Sequence, residues 1–207
     1  YPAKPKIGIR ADAPFRILHI DVTILRLKDG TKGFVQAVID NYSRYILAVS
    51  VTSDYGAFNT KSLLLAAIAK ARELGSALIP KVFVDSGCEN INAEVDALIA
   101  SNLISRTIAH VEVIFSNSLI EAWFRYLKHG YLFLLDLTNV AALERNVMYY
   151  VNEHNTVMPH SALKGATPLE VITGTNPIAM RSRLLEEHRI ALAARIAVNL
   201  QLRCGSC

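Results

Sequence analysis

The chain predicts an α/β fold: a mixed five-stranded sheet flanked by helices, with a helical C-terminal extension. Three observations predict it. Residues 15–52 hold three alternating or β-branched runs separated only by short turns, the pattern of a meander of antiparallel strands. Residues 61–128 then alternate helical periods with short apolar runs, as parallel strands joined by helical crossovers do. From about residue 138 only helical patterns recur. These shifts divide the chain into a lead-in (1–14), a core (15–136) and a helical extension (137–207).

Residues 1–14 carry three prolines and no apolar period, which reads as an extended segment. Phe15 to Leu27 alternates, with Leu18, Ile20, Val22 and Ile24 on one side and Ile17, His19, Asp21 and Thr23 on the other, so both faces of this strand are used. Lys28 to Gly33 is a turn, Phe34 to Asp40 a returning strand, Asn41 to Arg44 a second turn and Tyr45 to Thr52 a third strand. Asn59 and Thr60 are placed to cap a helix over Lys61 to Leu74, which ends at Gly75. Val82 to Val84 is the fourth strand, followed by a helix near Asn92 to Ser101 and a strand near Ile104 to Ala109. The next helix begins around Asn117, another is expected over Val140 to Asn152 behind Thr138 or Asn139, and Glu153 to His160 reads as irregular. Thr167-Pro168-Leu169-Glu170 has the form of a capping box with proline at the first helical position. Ile178 to Leu202 closes the chain with a stretch suited to packing on the core, a second subunit or a further domain.

At 207 residues the chain is long enough for one domain with a full core. Charges interrupt every apolar run short of the ~20 residues of a membrane span, and the three cysteines suit a reducing cytosol better than a disulfide framework. Cys204 and Cys207 form a single Cys-x-x-Cys, half of what a structural zinc site requires. The net charge of +4 and pI near 9.0 fit a polyanionic partner.

Chemistry concentrates in the stretch Lys81 to Lys128. Asp85 ends the fourth strand, and Glu121 stands on a helix whose apolar stripe is Ile120, Trp123, Phe124 and Leu127. Glu121, Arg125 and Lys128 form a second stripe about 100° around the same helix. With Asp21 on the first strand, the two acids make a candidate divalent-metal site for cutting or joining phosphodiester bonds. Such chemistry needs an activated oxygen nucleophile and a stabilised leaving oxygen, and two Mg2+ ions about 3.5 to 4 Å apart supply both. Magnesium takes hard oxygen ligands and keeps several waters, so a few convergent carboxylates suffice. A solvated helix face with a Glu-Arg pair is the competing reading of Glu121 and Arg125. Spacing alone does not decide, since 18 acids in 207 residues give roughly one acidic pair at any separation by chance.

The ordered combination of local motifs is more specific. His19-Ile20-Asp21-Val22-Thr23, Val84-Asp85-Ser86-Gly87, Glu121 after 35 intervening residues and the hairpin Ile39 to Ile46 together resemble the catalytic core of DDE transposases and retroviral integrases. Tyr150 to Asn155, Pro159 to Leu163 and Ala166 to Glu170 are similar to the tail of bacterial insertion-sequence transposases. The resemblance covers about residues 14–174 and implies a ribonuclease H-like fold. It implies that Asp21, Asp85 and Glu121 bind Mg2+ or Mn2+, two ions in all, and that Asn117, Arg125 and Lys128 contact DNA. It further implies nicking of transposon-end DNA and strand transfer to target DNA, a dimer or larger homo-oligomer and a bacterial, nucleoid-associated setting. Two departures stand out. Asp85-Ser86-Gly87 replaces the common Asp-Asn-Gly, and Ile108 to Phe115 is apolar where many relatives carry a Gly- or Pro-rich loop.

A nuclease that only hydrolyses, or a DNA-binding protein that keeps the fold without catalysis, remains open at this point. His19 either tunes Asp21 or serves the strand structurally. His160 is read as a DNA or structural residue, Trp123 as core, and Asp40 as a turn former rather than a catalytic acid.

Overall fold

A computed structural model describes residues 9–84, 93–108 and 117–204. Asp85, Cys88, most of the atypical loop 108–116 and Cys207 lie outside the described residues. The elements are β1 (Ile17–Arg26), β2 (Lys32–Asp40), β3 (Ile46–Thr52), α1 (Ala57–Glu73), β4 (Lys81–Val84), α2 (Ala93–Ala100), β5 (Ser105–Ile108), α3 (Ser118–Gly130), α4 (Val140–Thr156), α5 (Pro168–Ile172) and α6 (Pro177–Cys204). The five strands form one mixed sheet in the order β3-β2-β1-β4-β5. β1, β2 and β3 pair antiparallel, and β4 and β5 join β1's other edge in parallel.

β1 is central, and its alternation serves two cores. Leu18 and Ile20 face Leu64, Ala67 and Ile68 of α1 and Val95 and Leu98 of α2. Residues of the opposite parity face the other layer, where Leu25, Val35, Ala37 and Ile39 meet Ile120, Trp123, Phe124 and Leu127 of α3 and Leu143, Val147 and Val151 of α4. The protein is thus a sheet between two helical layers, and the second layer carries α3. Gly33 sits under α4, where a Cβ would collide with the Leu143 side chain. The first hairpin turn, with Gly30 at φ +86°, is tied to the start of the helical region by Lys28 N–H to Leu137 C=O and Asp29 N–H to Thr138 C=O.

Two expectations are corrected. α1 starts at Ala57 behind Gly56 rather than at Lys61, and Thr60 lies inside it, buried and accepting a bond from Gln36 Nε2 at 2.9 Å. α4 does begin behind Asn139, whose side chain caps the Ala142 N–H, but it runs on to Thr156, into the first half of the segment read as irregular. The reason is tertiary. Asn155 exchanges two hydrogen bonds with the Ile46 backbone at 2.9 and 3.0 Å, and His154 bonds the Arg44 carbonyl at 2.9 Å, so polar side chains dock the helix on the start of the edge strand β3. The capping box at Thr167 and Glu170 is present as expected.

α6 is a single helix of 28 residues, about 42 Å long at 1.5 Å per residue. Met180 packs with Leu163, Ala166 and Val171, and beyond it Leu185, Ile190, Ile196 and Leu200 are exposed. Among the described residues no helix is long and apolar enough to cross a membrane.

Candidate active site

Asp21 lies in the middle of β1, two residues beyond His19 and on the same face. Its Oδ1 accepts the Val22 N–H at 2.8 Å. Glu121 projects from the first turn of α3 and is exposed, its backbone N–H bonded to Asn117 C=O at 3.2 Å. Both carboxylates line one open cavity of about 250 Å3, together with Thr23, Arg125, Lys128 and His129. Strand and helix thus bring together residues 100 apart in the chain. β4 runs parallel to β1 with Phe83 opposite His19, which delivers the end of β4 beside the segment that carries Asp21. Asp85 follows that end and lies outside the described residues.

A buried polar chain fixes the strand to the helix. Asn41 Oδ1 accepts the Ala11 N–H at 2.7 Å, which turns its Nδ2 toward His19 Nε2 at 2.8 Å. The imidazole therefore accepts at Nε2 and donates from Nδ1 to Asn117 Oδ1 at 3.0 Å. Asn117 Nδ2 donates in turn to the Ile20 carbonyl at 3.2 Å. Burial pushes the His19 pKa down to about 4, so the ring is neutral at physiological pH and serves as a strut. The structural reading of His19 is the one the geometry supports.

Asn117, expected beside DNA, is held from within the protein. It is only 8% exposed, and both ends of its amide are engaged inside the protein, so its side chain ties the start of α3 to β1. Arg125 and Lys128 do face the cavity, Arg125 exposed and Lys128 half-buried. His129, one turn beyond Arg125, also lines it. Its i, i+4 spacing from Arg125 was the sequence signal that could have placed it there.

Asp40 is a turn former. Its Oδ1 accepts the Phe15 N–H, and its Oδ2 accepts the Ser43 N–H and hydroxyl, each at 2.7 Å. Burial nevertheless raises its carboxyl above the ordinary range. Trp123 is buried in the second core, as its stripe predicted.

Carboxylate oxygens are the hard donors that Mg2+ prefers. Asp21 and Glu121 supply them from two rigid elements onto one cavity, so the donor chemistry fits such a cation. Among the described residues no group of three or more potential ligands occurs.

No family model matches the chain, and no curated protein matches it. Solved structures do. The HTLV-2 integrase catalytic core domain in complex with magnesium, in its dimeric form, matches with a TM-score of 0.60 and 23% identity over 79% of this chain and 99% of that one. This is the fold of a retroviral integrase catalytic core. The trimeric form of the HTLV-2 core gives a TM-score of 0.60 at 20% identity over 78% and 99% of the two chains. The simian T-cell lymphotropic virus intasome in complex with PP2A regulatory subunit B56 gamma gives 0.60 at 17% identity, over 82% of this chain and 58% of that one.

Proposed function

We propose that the chain is a DNA transposase or integrase catalytic core that nicks DNA and joins the freed 3′-hydroxyl to a target strand. The observation that carries this reading is the shared cavity, in which Asp21 of the central strand and Glu121 of α3 open beside Arg125 and Lys128. The integrase-core fold supports it, as does the way this chain's central strand and α3 bring Asp21 and Glu121 to one cavity.

Asp21, Glu121 and Asp85 are proposed to hold the metal, and the HTLV-2 core's complex with magnesium supports a divalent ion. When bound, a pair of such ions activates the attacking oxygen and stabilises the leaving one. This chain's residues do the rest. Asp21 and Glu121 fix where the reacting phosphate sits, since each is anchored on a regular element and not on a loop. Arg125 and Lys128 neutralise flanking phosphates and set the register of the DNA. The His19–Asn117 hydrogen bond ties the strand that carries Asp21 to the start of the helix that carries Glu121. Assembly as a dimer or larger is part of the proposal. The HTLV-2 core's dimeric and trimeric forms and the exposed apolar length of α6 support it.

The test is strand transfer on oligonucleotides with Mn2+. Asp21→Asn and Glu121→Gln should each abolish nicked and joined products while DNA binding in Ca2+ persists. Nicked products without joined ones would leave the nuclease reading standing, and unchanged activity in both variants would refute the site.

A further inference from the structure

α3 has three working faces. Glu121, Arg125 and Lys128 face the acidic cavity, Ile120, Trp123 and Leu127 face the core, and Leu119, Ala122 and Tyr126 lie about 120° from each. The third face forms one wall of a second, larger cavity of about 610 Å3, within the ~300–1,000 Å3 range of small-molecule sites. Its other walls come from Ile9 and Arg10, from Arg44 in the β2–β3 turn, from His154 of α4, and from Met158 to Ala162.

The lining is chemically one-sided. Among the described residues two arginines and two histidines line this cavity, and no Asp or Glu does. Two buried donors also lack an acceptor, Arg44 Nη1 and Trp123 Nε1, and both residues belong to the cavity wall. Arg44 makes no ion pair among the described residues. Asp40, an opposing charge that acts on it, already spends both oxygens on Phe15 and Ser43. Burial and the neighbouring Arg10 lower the Arg44 pKa to about 10, which leaves it cationic at neutral pH, whereas burial keeps His154 and His160 neutral. A buried donor without a partner costs stability until an acceptor arrives, and here two such donors border a cavity large enough to admit one.

We propose that this cavity binds a small amphiphilic organic acid, with its carboxylate held by Arg44 and Arg10 and its apolar body lying along Leu119, Ala122 and Met158. Arginine suits a planar carboxylate because its donors form a matching fork. The site stands apart from the acidic cavity, so it does not depend on the proposed strand-transfer activity.

Trp123 is the protein's single tryptophan, so its indole N–H resonance in a 15N-labelled sample reports on the cavity directly. The probes are 3-phenylpropionate, its neutral amide and inorganic phosphate. 3-Phenylpropionate should move the indole resonance saturably and bind at least about tenfold tighter than either of the other two. Arg44→Gln should weaken it by a similar factor, and Ala122→Phe should block it by filling the cavity. If Arg44→Gln does not fold, Ala122→Phe decides alone, judged on a sample with a dispersed amide spectrum. Equal binding of acid and amide, phosphate binding as tight as the acid, or an unmoved indole resonance at about 10 mM acid overturns the proposal. Displacement of the bound acid by duplex DNA would also overturn it, since the cavity would then belong to the nucleic-acid interface.

Discussion

Acidification to pH 5 should destabilise the fold through His154, by an amount the structure sets. His154 is 3% exposed, donates from Nε2 to the Arg44 carbonyl and meets His160 edge-on at 5.2 Å. Burial first, and His160 to a lesser degree, lower its pKa from 6.5 to about 4. Because the folded value lies below the unfolded one, the unfolded chain takes up the proton first. The stabilisation is whole above about pH 6.5 and is lost as the pH falls toward 4. Integrating the linkage from pH 7 to pH 5 gives a loss of about 2 kcal/mol for this one ring. His19, also lowered to about 4, should add a similar loss. Asp40 works the other way, since a raised carboxyl pKa gains stability as the pH falls. Urea unfolding of the wild type and of His154→Gln at both pH values isolates the term. The wild type should lose about 2 kcal/mol more than the variant between them. An equal loss in both proteins, or a His154 ring that titrates near 6.5 by NMR, would refute the reasoning.

Asn117→Ala should cost about 1–3 kcal/mol, because it leaves the His19 Nδ1–H and one partner of the Ile20 carbonyl unmet; thermal unfolding measures it, and a neutral result would deny the strut. Thr167→Ala removes the capping box and should cost about 1 kcal/mol, read from the urea midpoint at constant slope. Arg125→Gln and Lys128→Gln should each weaken DNA binding and lower the salt slope, log K against log salt, by about one. An unchanged slope would remove these residues from the proposed interface.

The sheet was legible because its strands alternate and its turns are short, so β1 to β3 were found within about two residues of their bounds. What escaped were boundaries made by distant partners. The end of α4 looks polar and irregular in sequence, yet His154 and Asn155 are buried there because their side chains satisfy the backbone of residues 44 and 46. No local pattern carries that information. The start of α1 was misplaced because Gly56 caps it without a side chain, while Thr60, which looks like a cap, bonds Gln36 across the core. In the candidate site, Asp21, Glu121, Arg125 and Lys128 were placed by strand parity and helix angle together with the family resemblance, and the structure brings all four to one cavity. The orientation of Asn117 was not legible in that way. Its spacing from Glu121 says that it is near the site, but only its burial says which way it faces.

The neutral strut between β1 and α3 separates two properties that are coupled in most ionic sites. Were the acids held apart by a salt bridge, any substitution that moved them would also change the local field. Here the link of Asn41, His19 and Asn117 carries no net charge at neutral pH. Mutation can therefore adjust the spacing of Asp21 and Glu121 through Asn117, or the field around them through Arg125, Lys128 and His129, one without the other. Geometry and electrostatics are independent variables for selection at this site.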